Sequence, residues 1–159
     1  KGSTLLVVDV SGSMDAPVST KSELMRLDAA GALAVLLREV CESCRVFTFS
    51  EQLVEVQNFR GLPMLAGINN SQPHRGTALA GALAKLQRYI PKPDRVIVVT
   101  DEQSQDGNGQ NWTQRGYLCN VAPYKPGLDV SGGWKRINGW SERLVDWIRL
   151  DEQLNEPSQ

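Results

Sequence analysis

The sequence predicts an α/β fold, a doubly wound, mostly parallel sheet with helices on both faces and one antiparallel edge strand. Three observations lead there. "STLLVVD" and "DRVIVVTDE" are unbroken apolar runs rich in β-branched residues, the pattern of strands covered on both faces. The segments between such runs carry apolar residues at helical spacing. One short stretch, "QLVEVQ", instead alternates apolar and polar residues, as an edge strand does.

Taken in order, "STLLVVD" is the first strand. "STKSELMRLDAAGALAVLLREVCES" follows, with Leu24, Leu27, Ala34, Leu37 and Cys41 at helical period, and Thr20 with Glu23 has the spacing of a capping box. "RVFTFS" is a second strand, paired in a hairpin with "QLVEVQ". "LPMLAGINN" is a short helix. "TALAGALAKLQRYI" places Leu79, Leu83, Leu86 and Ile90 on one face and is stopped by "PKP". After "DRVIVVTDE" comes the polar loop "QSQDGNGQNWTQRG" (103–116), long enough to suspect function or mobility. "YLCNVAPY" and "KRINGW" are the last strands, separated by the turn-rich "KPGLDVSGGW". Ser141 can cap a closing helix, "SERLVDWIRLDEQL", with Leu144, Trp147 and Ile148 facing inward.

The 159 residues suit one domain with a sizeable core, and no linker or repeat divides residues 1–159. The chain begins almost inside its first strand, which reads as a domain taken from a longer protein. With 41% hydrophobic and 22% charged residues and a net charge of -1, it has neither a nucleic-acid-binding balance nor an acidic tail. No apolar run approaches the ~20 residues of a membrane span, so no membrane partner is expected. Cys41, Cys44 and Cys119 cannot pair fully within the chain, which points to a reducing compartment. "CESC" has C-x-x-C spacing, yet with no second pair and a single histidine, His74, a structural zinc lacks ligands. Its plain reading is small thiols at a helix end.

Chemistry collects at the carboxyl ends of two strands. Asp9 follows "LLVV" and Asp101 follows "VIVVT", and in open α/β sheets such ends flank the binding crevice. Ser11 and Ser13 alternate after Asp9, with Gly12 between them to let the chain turn. Thr77, after Gly76 at a helix start, offers a third hydroxyl, though it could equally serve as a cap. Carboxylates and hydroxyls without histidine or thiol make a hard oxygen site, suited to Mg²⁺ and less strictly to Mn²⁺ or Ca²⁺.

"DVSGS" near the amino end, "GT" before the third helix and "TD" after the fourth strand resemble the metal-ion-dependent adhesion site of von Willebrand factor type A domains, a Rossmann-like fold. The resemblance implies that Ser11, Ser13 and Thr77 ligate the ion directly. Asp9 and Asp101 would act mainly through water or hydroxyl hydrogen bonds. One coordination position would stay open for a partner's Asp or Glu carboxylate. Within the family, "VIVVTDEQ" and "INGWSERLVDWI" are similar to the type A domain of Ro ribonucleoproteins (the TROVE-module group). That likeness implies a cytoplasmic, non-catalytic, metal-dependent protein-binding domain of a protein handling small noncoding RNA or RNA quality control. RNA would be bound through parent regions outside this chain.

Other readings stay open: an adhesion or chaperone-cofactor domain unrelated to RNA, or a hydrolase using the metal to activate water. For the last, Glu102 is the one candidate base. Asp101 and Glu102 are adjacent, and on an extended segment they would point apart. A phosphoryl-transfer domain would want an aspartate nucleophile such as Asp9, but no lysine follows a strand end. His74 reads as a solvated loop histidine, and Lys85, Arg88 and Lys92 as a solvated helix face. Trp112 and Trp134 read as loop contact residues, Trp140 and Trp147 as core. Scattered cations with no interleaved aromatic platform predict weak RNA binding by the domain itself.

Overall fold

The computed structural model describes residues 2–18, 23–57, 59–122, 131–138 and 143–155. Thr20, Trp140 and Ser141 lie outside them, and so do the capping box and the closing-helix cap expected there.

Six strands form one sheet in the order β3-β2-β1-β4-β5-β6. They are β1 (Ser3–Asp9), β2 (Ser43–Phe49), β3 (Leu53–Val56), β4 (Arg95–Thr100), β5 (Arg115–Asn120) and β6 (Lys135–Asn138). Every pairing is parallel except β2 with β3, whose short connection permits only a hairpin. The α/β expectation, with one antiparallel edge strand, therefore holds. β5 starts two residues before the predicted "YLCNVAPY", at Arg115, and ends at Asn120.

The helices are α1 (Arg26–Val40), α2 (Leu62–Asn69), α3 (Leu79–Tyr89) and α4 (Arg143–Leu154). α1 begins later than its apolar period suggests. Leu24 lies ahead of it and is exposed, because residues 17 and 25 pair as an antiparallel bridge instead. Strand alternation splits the core in two. Leu6 and Val8 of β1 pack with Ala30, Leu33 and Leu37 of α1, Met64 and Ile68 of α2, and Leu144 and Ile148 of α4. Leu5 and Val7 pack on the opposite face with Leu79, Leu83 and Leu86 of α3. Among the described residues no helix is long and apolar enough to cross a membrane.

β1 and β4 are neighbours, with Val8 level with Val99. The chain runs outward from β1 in one direction to β3 and in the other to β6. The β1/β4 boundary is thus the switch point where helices leave on different sides and a crevice opens above the strand ends. Asp9 and Asp101 both sit there.

Candidate metal centre

Asp9 ends β1 with no exposed surface. Its Oδ1 accepts a hydrogen bond from the Ser11 backbone N–H at 2.9 Å, and its Oδ2 accepts one from the Thr100 hydroxyl across the β1/β4 pairing at 2.7 Å. Burial pushes its carboxyl up to about 6, against the pull of the Ser11 and Thr100 hydrogen bonds, and neighbouring Asp101 adds to the rise. The next residues make a single 3-10 turn, closed by Met14 N–H on the Ser11 carbonyl and Asp15 N–H on the Gly12 carbonyl. That turn brings the Ser11 and Ser13 hydroxyl oxygens within 3.1 Å of each other. Gly12 is not among the glycines of positive φ, and a Cβ there would meet the Arg75 and His74 carbonyls at ordinary contact distance. The pairing of the serines comes from the 3-10 turn and not, as the sequence suggested, from glycine's freedom.

The Thr77 loop is fastened to the same place. Gly12 N–H donates to the Arg75 carbonyl at 2.7 Å, and His74 Nδ1 donates to the Val10 carbonyl at 2.6 Å. Ser50, at the carboxyl end of β2, accepts from Arg75 N–H at 2.9 Å and donates its hydroxyl to the Gly76 carbonyl at 2.8 Å. Thr77 itself is 5% exposed. Its capping role goes elsewhere: at the start of α3, Ser104 accepts from Leu79 N–H, and Asp106 accepts from Ala80 and Gly81 N–H at 3.0 and 2.8 Å. The loop after β4 therefore caps α3.

Asp101 follows β4 and is also buried. Its Oδ1 accepts from Gln103 N–H, and its Oδ2 accepts from Arg26 Nη1 at 3.0 Å. The same nitrogen donates to the Ser13 carbonyl at 3.2 Å. Arg26, the first residue of α1, thus joins the serine turn to the second carboxylate. Glu102 turns away, with φ at 59°, the one described non-glycine residue of positive φ. The segment is not extended there, and the divergence of the two carboxylates has this backbone turn as its cause. Glu102 is held by Arg136 at 2.6 Å, by the Asn120 amide at 2.6 Å and by the Asn108 amide at 3.1 Å. A carboxylate so occupied is poorly placed to take a proton from water.

The residues present fit a small divalent cation. The donors are all oxygen, the choice of Mg²⁺ and Ca²⁺. Among the described residues no group of three or more His, Cys, Asp and Glu stands together, so hydroxyls would have to supply inner ligands. Octahedral Mg²⁺ at ~2.0–2.1 Å from its ligands sets adjacent ones about 3 Å apart, close to the separation of the Ser11 and Ser13 oxygens.

The von Willebrand factor type A domain family matches residues 4–104, a span from β1 into the start of the loop after β4. The chain belongs to this family. No curated protein sequence matches it. Among solved structures, this type A domain is similar to the Ro (RSR) protein of Deinococcus radiodurans, with a TM-score of 0.69 and 17% identity over 92% of the chain. The chain spans 33% of that protein's length. It is also similar to BatB of Bacteroides thetaiotaomicron (TM-score 0.63, 14% identity) and to an aerotolerance-related membrane protein of Bacteroides fragilis (TM-score 0.61, 15% identity). Each of those two alignments covers 99% of this chain and 100% of the other. At these identities the likeness is one of fold, and the type A domain of a Ro protein shares it.

Several side chains stand elsewhere than expected. Trp134 is 6% exposed and donates its indole N–H to the Gly109 carbonyl, and Trp112 packs on the α3-side core and donates to the Ile90 carbonyl. Both hold the 103–116 loop down and do not wait for a partner. Trp147 is 43% exposed, its ring edge against Tyr117, while Val145 takes the inward position. His74 is an exposed clip between two loops. Arg26 and Ser50 were not foreseen. Ser50 had a signal, a polar residue at the end of an apolar strand, whereas Arg26 had none, since a basic residue in an amphipathic segment ordinarily faces water.

Proposed function

We propose that this type A domain binds a partner protein's carboxylate through a divalent ion, most naturally Mg²⁺, with Mn²⁺ or Ca²⁺ as substitutes, and performs no catalysis. Ser11, Ser13 and Thr77 would hold the ion directly, while Asp9 and Asp101 would act from behind through hydrogen bonds and water. The ion when bound supplies a positive charge with one position free for an external Asp or Glu. The observation that carries this reading is the pair of serine oxygens in contact above a buried Asp9. Asp9 orients the turn through Ser11 N–H and supplies negative charge without spending its oxygens on direct ligation. Neutral inner donors would leave the cation enough charge to attract a partner, where a cage of carboxylates would satisfy it.

The non-catalytic half of the reading rests on Glu102. The one candidate base is engaged by Arg136, Asn120 and Asn108, while general-base catalysis needs a group free to reach the water's proton. The Ro-like fold supports placing the domain in a cytoplasmic protein of small-RNA handling, with RNA carried by regions outside this chain. An adhesion or chaperone-cofactor role would be favoured instead by a signal peptide or an unrelated module upstream in the parent protein.

Calorimetry with Mg²⁺ or Mn²⁺ tests the site. Wild type should bind one ion, and Asp9→Ala and a Ser11→Ala/Ser13→Ala variant should not. Equal affinity in all three would remove the proposal. Mg²⁺-dependent retention of an acidic peptide is the functional readout. Mg²⁺-dependent phosphoester turnover that is lost in Glu102→Gln while metal binding persists would show an enzyme instead.

A further inference from the structure

We propose that Cys41 and Cys44 form an oxidisable dithiol at the amino-terminal edge of the sheet, in which Cys41 reacts with hydrogen peroxide and Cys44 resolves the product to a disulfide. α1 ends at Val40 and β2 starts at Ser43, so the connection is only two residues long and folds Cys41 back over the strand. Cys44 pairs with Thr4, and Thr4 pairs with Arg95, which sets the three in one row across β2, β1 and β4. Side chains level with one another in parallel strands share a face, here the α1 face, where Cys44 belongs to the core and Cys41 packs against it. Both thiols thus pack into the same side of the core, three residues apart in the chain. Arg95 closes the row, donating from Nη1 to the Thr4 hydroxyl at 2.7 Å.

The two sulfurs differ in access and in charge. Cys44 is 6% exposed, whereas Cys41 is partly exposed and lines a cavity of about 70 Å³ with Arg95, Val145, Ile148, Arg149 and Glu152. That volume has room for a peroxide. The charged groups around the pair are Arg38 on α1, Arg95 on β4, and Arg149 and Glu152 on α4; the carboxylate of Glu152 is taken by Arg95 and Arg115. The balance is cationic. Cys44 beside it holds the Cys41 thiol below the ordinary range, Thr4 and Arg95 add to the effect, and burial opposes them. Cys44 is held as a thiol by Cys41 beside it and by burial. A low-lying, accessible thiolate beside a buried partner is the arrangement of peroxide-sensing cysteines.

The chemistry balances with peroxide as the only co-reactant. The Cys41 thiolate attacks one peroxide oxygen, an S–O bond forms, the O–O bond breaks and hydroxide leaves. The Cys44 sulfur then attacks the Cys41 sulfur, an S–S bond forms, the S–O bond breaks, and the hydroxyl departs with the Cys44 proton as water. Two electrons pass from the sulfur pair to the peroxide. Cys119 has no part in it: it is wholly buried in the core, and burial pushes its thiol up to about 12.

Trypsin releases both cysteines in one peptide, Glu39–Arg45, without Cys119. After peroxide treatment, blocking of free thiols and digestion, this peptide should appear two hydrogens lighter and unblocked, and reduction should restore it. In Cys44→Ser the reaction should stop at a sulfenic acid that dimedone traps on Cys41. In Cys41→Ser neither remaining thiol should react at that dose. Blocking of Cys41 in the untreated protein should show a pH midpoint more than one unit below the ~8.5 of a free thiol. A peptide still blocked at both cysteines after a dose that oxidises Cys41 in Cys44→Ser would overturn the proposal. So would dimedone on Cys44 or Cys119 in place of Cys41, or an ordinary midpoint for Cys41.

Discussion

The two ends of the sheet carry buried charge in opposite ways. At the amino ends, Arg95 and Arg115 meet Glu152, and Lys135 meets Asp151, each acid supplied by α4 across a direct contact. At the carboxyl ends, the donors to Asp9 among the described residues are neutral, the Ser11 N–H and the Thr100 hydroxyl, while Arg26 pairs with Asp101. One end is matched acid to base and the other keeps an excess negative charge beside paired hydroxyls. Buried charges are ordinarily neutralised by the fold itself. A carboxylate left in excess at a strand end is what the proposed cation site requires.

The largest effect should come from breaking the matched end. Arg95 is 5% exposed, and Glu152 takes both its Nε and its Nη2, the latter at 2.6 Å. Glu152→Ala would leave a buried guanidinium with its main partner gone, a loss of about 3–5 kcal/mol. Urea unfolding should show it at every Mg²⁺ concentration. Stability unchanged to within about 0.5 kcal/mol would mean that this end is not held by its charges.

Asp9→Asn breaks the other end and should do the reverse. The amide keeps an acceptor for Ser11 N–H but removes a charge that burial disfavours, the carboxyl being pushed up to about 6. The metal-free variant should be more stable than wild type by about 1 kcal/mol, while Mg²⁺ affinity falls at least ~100-fold, about 2.7 kcal/mol. Unfolding with and without Mg²⁺ separates the two effects. Equal stabilisation by Mg²⁺ in both proteins would sink the contrast between the ends.

What the sequence made legible follows the same division. Strands buried on both faces announce themselves as apolar runs, so β1 and β4 were plain, and with them the two aspartates at their ends. Ser11, Ser13 and Thr77 were visible because their spacing is local or sits at a helix start. Partners supplied from a distance were not. Arg26 is 75 residues from Asp101, and Arg136 and Asn120 reach Glu102 only once β5 lies beside β4 and β6 beside β5. The tryptophans misled for a related reason. An aromatic residue in a polar loop looks exposed, but Trp112 and Trp134 are what pins that loop to the core. Trp147 sits on a helix whose inward face falls to Leu144, Val145 and Ile148, which leaves the indole partly outward against Tyr117.

Arg26 allows a finer adjustment of the same contrast. Its guanidinium offsets one of the two carboxylate charges, so it competes electrostatically with an incoming cation. Arg26→Gln keeps a donor for Asp101 and the Ser13 carbonyl but removes the charge. Mg²⁺ should bind about tenfold more tightly, a change of about 1.4 kcal/mol, well within the range for a charge a few ångströms away. Calorimetry at fixed ionic strength reads it directly. Weaker binding would assign Arg26 to holding Asp101 in place, with its charge of no consequence.

The smallest effect concerns the cap of α3, and it tests whether Thr77 is reserved for the site. Asp106 accepts from Ala80 and Gly81 N–H and from the Ser104 hydroxyl, and together those bonds, against burial, leave its carboxyl below the usual range. Removing such a cap costs about 1 kcal/mol, which in a domain of this size lowers Tm by about 3 °C. Asp106→Ala should show that drop in a thermal scan. If Thr77 is committed to the metal centre through the fastening of its loop by Ser50, His74 and Gly12, Mg²⁺ affinity should stay within about twofold of wild type. If the hydroxyl is instead a spare cap, it will turn toward the freed N–H groups, and the Tm loss will shrink as Mg²⁺ affinity falls. A small, Mg²⁺-independent loss of stability is the result that keeps the capping loop and the metal centre as separate devices at the same end of the sheet.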